Sequence, residues 1–138
     1  MTCHSHHGDR ERGAVSIFIA VLGVAFLIVA GLAVDGGRKL GALSEARDIA
    51  DNAARAGAQH IDTDAYRSSG IAYLDPGPAN QAAGEYLAAI GHTGTITVTD
   101  DTVTVTVQLR VDTQFLPGPW TVTATESATA VLGVQGAP

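Results

Sequence analysis

The chain has 138 residues, 46% of them hydrophobic but only 5% aromatic, with 16 glycines, so it holds at most one small domain with a thin core beside any membrane segment. Fourteen acidic residues outnumber eight Lys and Arg, for a net charge of −6, and the acidic excess lies wholly beyond residue 34. Such a domain has no basic stripe to meet a phosphate backbone, which argues against a nucleic-acid partner, and the single cysteine, Cys3, rules out an intrachain disulfide.

Residues 1–13, MTCHSHHGDRERG, read as a disordered cytoplasmic leader. Cys3, His4, His6 and His7 are residue types that hold soft or borderline metals. In a short polar leader they read as unstructured residues with no role, and no metal or other cofactor is expected. Cys3 precedes the apolar run that follows, whereas a lipoprotein cysteine would come after it.

From Ala14 to Val34 the chain runs 21 residues without a charge. At ~1.5 Å per residue a helix of that length spans ~31 Å, close to the hydrocarbon core of a bilayer. The remaining residues are too few to wrap a helix that is apolar on every face, so the segment reads as a transmembrane helix over 14–34. Arg10 and Arg12 before it favour a cytoplasmic N-terminus; Arg38 and Lys39 beyond it oppose that bias. A cleaved signal sequence is the rival, with small residues at Gly31 and Ala33. The run exceeds the usual 7–15-residue apolar core of a signal peptide, and the helical pattern continues past it, so retention is favoured.

Beyond the span, Gly36 and Gly37 weaken the helix and predict a bend. The 100° period then places Leu43, Ala46, Ala50, Ala53, Ala54, Gly57 and Ile61 on one arc. Ser44, Glu45, Asp48, Asp51, Asn52, Arg55 and Gln59 fall on the opposite arc. Alanines 42, 46, 50, 54 and 58 recur every fourth position, and Ala33, Gly37 and Gly41 carry that spacing back toward the span. Small residues at this spacing permit tight helix contacts, including self-association; an alanine-rich composition produces the same run without any contact.

Residues 59–78 read as a connection. His60, Asp62 and Asp64 suggest a metal site, but the further oxygen ligands and the glycine of a calcium loop are missing, so turn and capping duty is expected of the carboxylates. Asp75-Pro-Gly-Pro78 reads as a breaker before a helix over 79–90. Ala82, Ala83, Tyr86, Leu87 and Ile90 of that helix face inward, and Gly91 ends it.

The last third changes period. Thr95–Thr99 and Thr102–Val111 alternate strictly around Asp100-Asp101, predicting a hairpin that pairs Val98 with Val103 and Ile96 with Val105. Phe115–Trp120 reads as a loop with two apolar anchors. A third strand follows over 120–131, in which Glu126 breaks the alternation and marks either a bulge or an exposed edge. Residues 133–138 read as a disordered tail.

These pieces describe an α+β chain. One N-terminal transmembrane helix continues into an amphipathic helix, which packs on a small antiparallel sheet in a pilin-like extracytoplasmic domain over 35–132. The face of Val103, Val105, Val107 and Leu109 is expected to bury against the alanine arc, with the threonine face toward water.

The sequence Arg12-Gly-Ala-Val15, the span end Gly-Leu-Ala-Val-Asp35-Gly-Gly-Arg38, the helix Ala46…Asp51-Asn-Ala-Ala54…Ala58 and the closing Thr121-Val-Thr-Ala-Thr…Ala128-Thr-Ala130 resemble the TadE/TadG-like proteins of the tight-adherence (Flp) pilus-assembly system, closest to the N-terminal region of TadG-like members. The resemblance runs over residues 10–132, and the span with Asp-Gly-Gly-Arg is its specific part. It implies a membrane-anchored, pseudopilin-like structural component with pilus-assembly proteins or pilins as partners. Two departures stand out. Pseudopilins cut by a prepilin peptidase carry glutamate five residues after the cleavage glycine, where Phe18 follows Gly13, so no such processing is expected. The Asp-x-Ser-x-Ser motif of the von Willebrand A-type domain found in larger TadG-like proteins has no counterpart here.

An anchored or secreted extracytoplasmic binding module, using loops 62–78 and 112–120, is the alternative function. An enzyme is not expected, because no nucleophile with a base, carboxylate pair or metal set has a recognisable spacing, and no catalytic residue is assigned. The expected location is the cell membrane, single-pass, with the N-terminus cytoplasmic and the domain outside.

Overall fold

A computed structural model describes residues 8–130, with side chains from residue 13 onward. The elements run α1 (Gly8–Ala58), α2 (Thr63–Ser69), α3 (Pro76–Ala89), β1 (Gly94–Thr99), β2 (Thr102–Val111) and β3 (Trp120–Thr129). The metal-type cluster Cys3, His4, His6 and His7 and the tail 133–138 lie outside the described residues.

α1 is one helix of 51 residues, about 77 Å long at ~1.5 Å per residue. It begins at Gly8, inside the stretch read as an unstructured leader, because no proline interrupts it and each added residue contributes one more backbone bond. It also runs through Gly36 and Gly37 without interruption. Two glycines cost a helix only about 1 kcal/mol each, and here the chain on both sides is fastened to the same partner elements. It stops at Ala58, short of Ile61, which instead bridges Leu74.

The sheet is antiparallel in the order β1-β2-β3. Its first hairpin has the expected register, Val98 opposite Val103 and Ile96 opposite Val105, around a two-residue turn in which Asp100 adopts φ 48°. β2 and β3 pair without interruption from Thr102↔Thr129 to Val111↔Trp120. Glu126 therefore marks no bulge; it sits half-buried opposite Val105 on an edge strand. β3 ends at Thr129, where the Ala130 amide donates to the Asp101 carbonyl at 2.7 Å.

The alternation puts Val103, Val105 and Val107 fully inside, and each contributes roughly 1.5–3 kcal/mol relative to exposure. They meet Ile49, Ala50, Ala53 and Ala54 of α1 together with Ala79, Ala83 and Leu87 of α3. A second cluster, closer to the apolar part of α1, joins Ala46 to Val111, Val122 and Ala124. The alanines let the helix backbone lie almost on the sheet. A Cβ at Gly57 would stand 2.8 Å from the Ala79 carbonyl and 3.2 Å from the Val103 methyls. On the other face Thr104 pairs with Ser127 and Thr106 with Thr125, each at 2.9 Å, in a hydroxyl ladder facing outward.

α3 starts at Pro76, three residues before the expected Ala79, since Asp75-Pro-Gly-Pro is a helix start and not a breaker. Asp75 is the N-cap, accepting from the Gly77 amide at 3.3 Å, and Pro76 stands where a missing N–H costs nothing. Ala83 and Leu87 are buried as expected and Tyr86 is half-buried. Ile90 is 41% exposed because it is the C-cap, past the last inward turn, with Gly91 at φ 75° ending the helix. The connection 59–78 holds a short helix, α2, that the sequence reading missed. Asp62 caps it, accepting from the amides of Asp64 at 3.0 Å and Ala65 at 2.9 Å.

The buried alanine face yields a test. Ala54→Leu has no room between α1 and the sheet and is expected to cost about 1–3 kcal/mol by overpacking. Asp48→Ala, on the exposed arc, should stay within about 0.5 kcal/mol. Thermal melts of the full chain in detergent micelles compare the two; equal melting points would show that the alanine face does not bear on the sheet.

Candidate functional site

The features that set this chain apart gather where the apolar part of α1 meets the domain. Three residues one turn apart, Gly31, Asp35 and Lys39, lie along one stripe of α1 and receive the loop between β2 and β3. Asp35 is only 3% exposed, although it closes an apolar run. Its Oδ1 accepts from the Gln114 amide at 2.9 Å, and its Oδ2 accepts from the amides of Phe115 and Leu116, also at 2.9 Å. A carboxylate holding three successive backbone N–H groups is a charge-assisted clasp across 79–81 residues of chain. The loop braces itself as well: the Thr113 hydroxyl faces the carbonyls of Leu116 at 2.7 Å and Gly118 at 2.5 Å, and Gly118 takes φ 83°.

The loop's two apolar anchors land on the neighbouring turns of that stripe. The Phe115 ring lies against Gly31, so closely that a Cβ there would stand 2.9 Å from Cγ. Even so, the ring is 65% exposed. The Lys39 Nζ sits over the Trp120 ring, 4.4 Å from its centre, a cation–π contact that holds β3 to the helix.

The Asp35 carboxyl is held below its ordinary value of 3.8. The Gln114 amide is the largest cause, burial opposes it, and the Phe115 and Leu116 amides and the Arg38 charge add to the lowering.

The capping duty expected of the carboxylates among His60, Asp62 and Asp64 is what Asp62 performs, while Asp64 contacts Arg67 at 3.4 Å. Among the described residues no group of three or more His, Cys, Asp or Glu could hold a metal ion. The loop 62–78 is tied at its base: the Asp62 amide donates to the Tyr73 carbonyl at 2.8 Å and the Leu74 amide to the Asp100 carbonyl at 2.8 Å. Of the small-residue stripe, Ala46, Ala50 and Ala54 are covered by the chain's own sheet and α3, while Ala33, Gly37 and Gly41 face outward.

From the sequence, Asp35 is one member of the Asp-Gly-Gly-Arg motif and has no role of its own. A signal was there: eleven residues before Ala46 is three full turns plus about 20°, so Asp35 falls on the buried arc. A charge on an otherwise small and apolar arc asks for a partner.

Because the folded-state pKa is lowered, the clasp's contribution is complete above the ordinary value of 3.8 and is lost as pH falls through the lowered one. Asp35→Asn, which keeps one acceptor oxygen for three donors, should melt lower than the wild type at neutral pH, and Asp35→Ala lower still. The gap should close in acid below pH 3.8. Melts of the full chain in nonionic detergent across that range check this, and a gap independent of pH would show that the charge plays no part.

Residues 13–60 match the protein-family model described as "Putative Flp pilus-assembly TadE/G-like". No curated protein and no solved structure matches the chain. The match covers about a third of the chain, and the β-strands, which the sequence resemblance also took in, lie outside it. Through this segment, which supplies Gly31, Asp35, Lys39 and the whole alanine face, the chain is similar to the TadE/TadG-like Flp pilus-assembly family.

Proposed function

We propose that the protein is a single-pass, membrane-anchored structural component of a Tad-type pilus-assembly system, pseudopilin-like, with its α+β domain extracytoplasmic. The observation that carries this reading is the family match over 13–60, which coincides with the helix on which the domain is built. α1 is also long and apolar enough to cross a membrane, near the N-terminus. Its apolar side chains are uncovered all around, Phe18 and Phe26 at 66% and Leu27 at 72% exposure, which suits lipid and suits water poorly.

Retention of the helix fits the clasp better than cleavage does. A signal peptidase cut after Ala33 would remove Gly31 from beneath Phe115 and leave Asp35 on a fraying helix end. The reading carries no catalytic step; the protein would act through helix packing in the membrane and contacts of the outer surface. The alanine arc is already used within the chain, so partner pilins or a second copy would meet α1 on the side of Ala33, Gly37 and Gly41.

The intact protein is expected to remain in the membrane fraction after carbonate washing, with its C-terminal domain open to protease added outside the cell. A soluble species beginning at Val34 in the medium would identify the apolar segment as a cleaved signal and favour the secreted binding module instead.

A further inference from the structure

Resting on the anchored reading above, we infer that the loop 113–119 is a second membrane contact, with Phe115 and Leu116 entering the outer boundary of the bilayer beside α1. The occupant of this surface is lipid, at the junction of acyl chains and headgroups.

Depth is the first argument. Phe115 packs on Gly31, three residues inside the end of the uncharged run, which is ~4.5 Å along the helix below Val34. Wherever the run is immersed, the ring at that height is immersed with it. Its helical neighbours Leu27, Ile28 and Leu32 are all exposed and require the same apolar medium. The ring fills no protein pocket either, being 65% exposed on a loop whose base is held rigidly.

Backbone polarity is the second argument. Irregular backbone survives at membrane depth only where its polar groups are satisfied within the protein. Here Asp35 takes the amides of Gln114, Phe115 and Leu116, and Pro117 and Pro119 have no N–H to satisfy. Gly118 is left as the one backbone donor of residues 114–119 outside these arrangements. A loop bathed in water would have no need for so complete a removal of donors.

The polar groups just above are of interfacial type. Trp120 and Lys39 stack one turn beyond Asp35, and Arg38 is adjacent, giving an indole and two cations at headgroup height. The domain would thus touch the bilayer at two points, the span and the loop, which fixes its tilt on the surface.

The chain's single tryptophan makes the test direct. In a Trp120→Phe background, Phe115→Trp or Leu116→Trp is placed in the full chain and reconstituted in phosphatidylcholine vesicles whose acyl chains are brominated either near the headgroup or near the methyl end. Leu22→Trp, at the centre of the run, reports the anchor alone. The loop probes are expected to emit to the blue and to lose most emission with bromine near the headgroup, while the Leu22 probe loses most with bromine near the methyl end. The Leu116 probe serves if an indole over Gly31 disturbs the fold. Quenching at position 22 but at neither loop position, with the loop probes open to aqueous acrylamide, would overturn the loop contact and leave the anchor standing. Loop probes shielded from both quenchers would put another polypeptide on the loop and also overturn it. Absence of quenching at position 22 would remove the anchor itself.

Discussion

The structure depends on how closely α1 can approach the sheet. Ala46, Ala50, Ala53 and Ala54 have no exposed surface, and at Gly57 even a methyl group would collide with the Ala79 carbonyl. With so little side-chain volume on the helix, the valines of β2 supply the bulk of the core and α3 closes its side. A thin domain with few aromatics is stable on such terms only if the backbones themselves come near. Dispersion between atoms in contact then replaces the large side chains that are missing.

A second constraint follows from using one helix for two surroundings. The lower part of α1 is apolar all around, and the upper part is apolar along one arc only. Asp35 stands at the crossover. It would be costly there as a bare charge, but it meets three amides aimed at it from the loop after β2. The clasp ties the far end of the sheet to the helix close to Lys39 and Trp120, so α1 is held along a single stripe from Gly31 to Gly57. The glycine pair at 36–37 lies within this fastened stretch and stays helical.

Much of the plan was legible in the sequence because it is written in periodicity. The alternation of Thr and Val over 95–111 set the hairpin register to the residue, since a slip by one would have turned Val103, Val105 and Val107 toward water. The alanine arc was read correctly for the same reason. What escaped were local features with ambiguous chemistry. Asp75-Pro-Gly-Pro breaks a helix when read from before it and starts one when read from after it, and the seven residues of α2 are too few to show a period. Ile49, buried beside the alanines, lies about 40° outside the arc that the helical period defines, so the period alone does not mark it as buried.

The sequence by itself determined that one long apolar helix leads into a helix with a narrow small-residue face, followed by an antiparallel sheet with a valine side and a threonine side. Those properties depend on residues a few positions apart, whose spacing is visible along the chain. Only the tertiary structure decided what Asp35 is for, and where Phe115 and Trp120 come to rest. The amides that receive the carboxylate lie 79–81 residues away, and backbone N–H groups carry no mark in a sequence. Their convergence exists only once the sheet has been laid on the helix, which brings the loop at its end down to the turn where the apolar run stops.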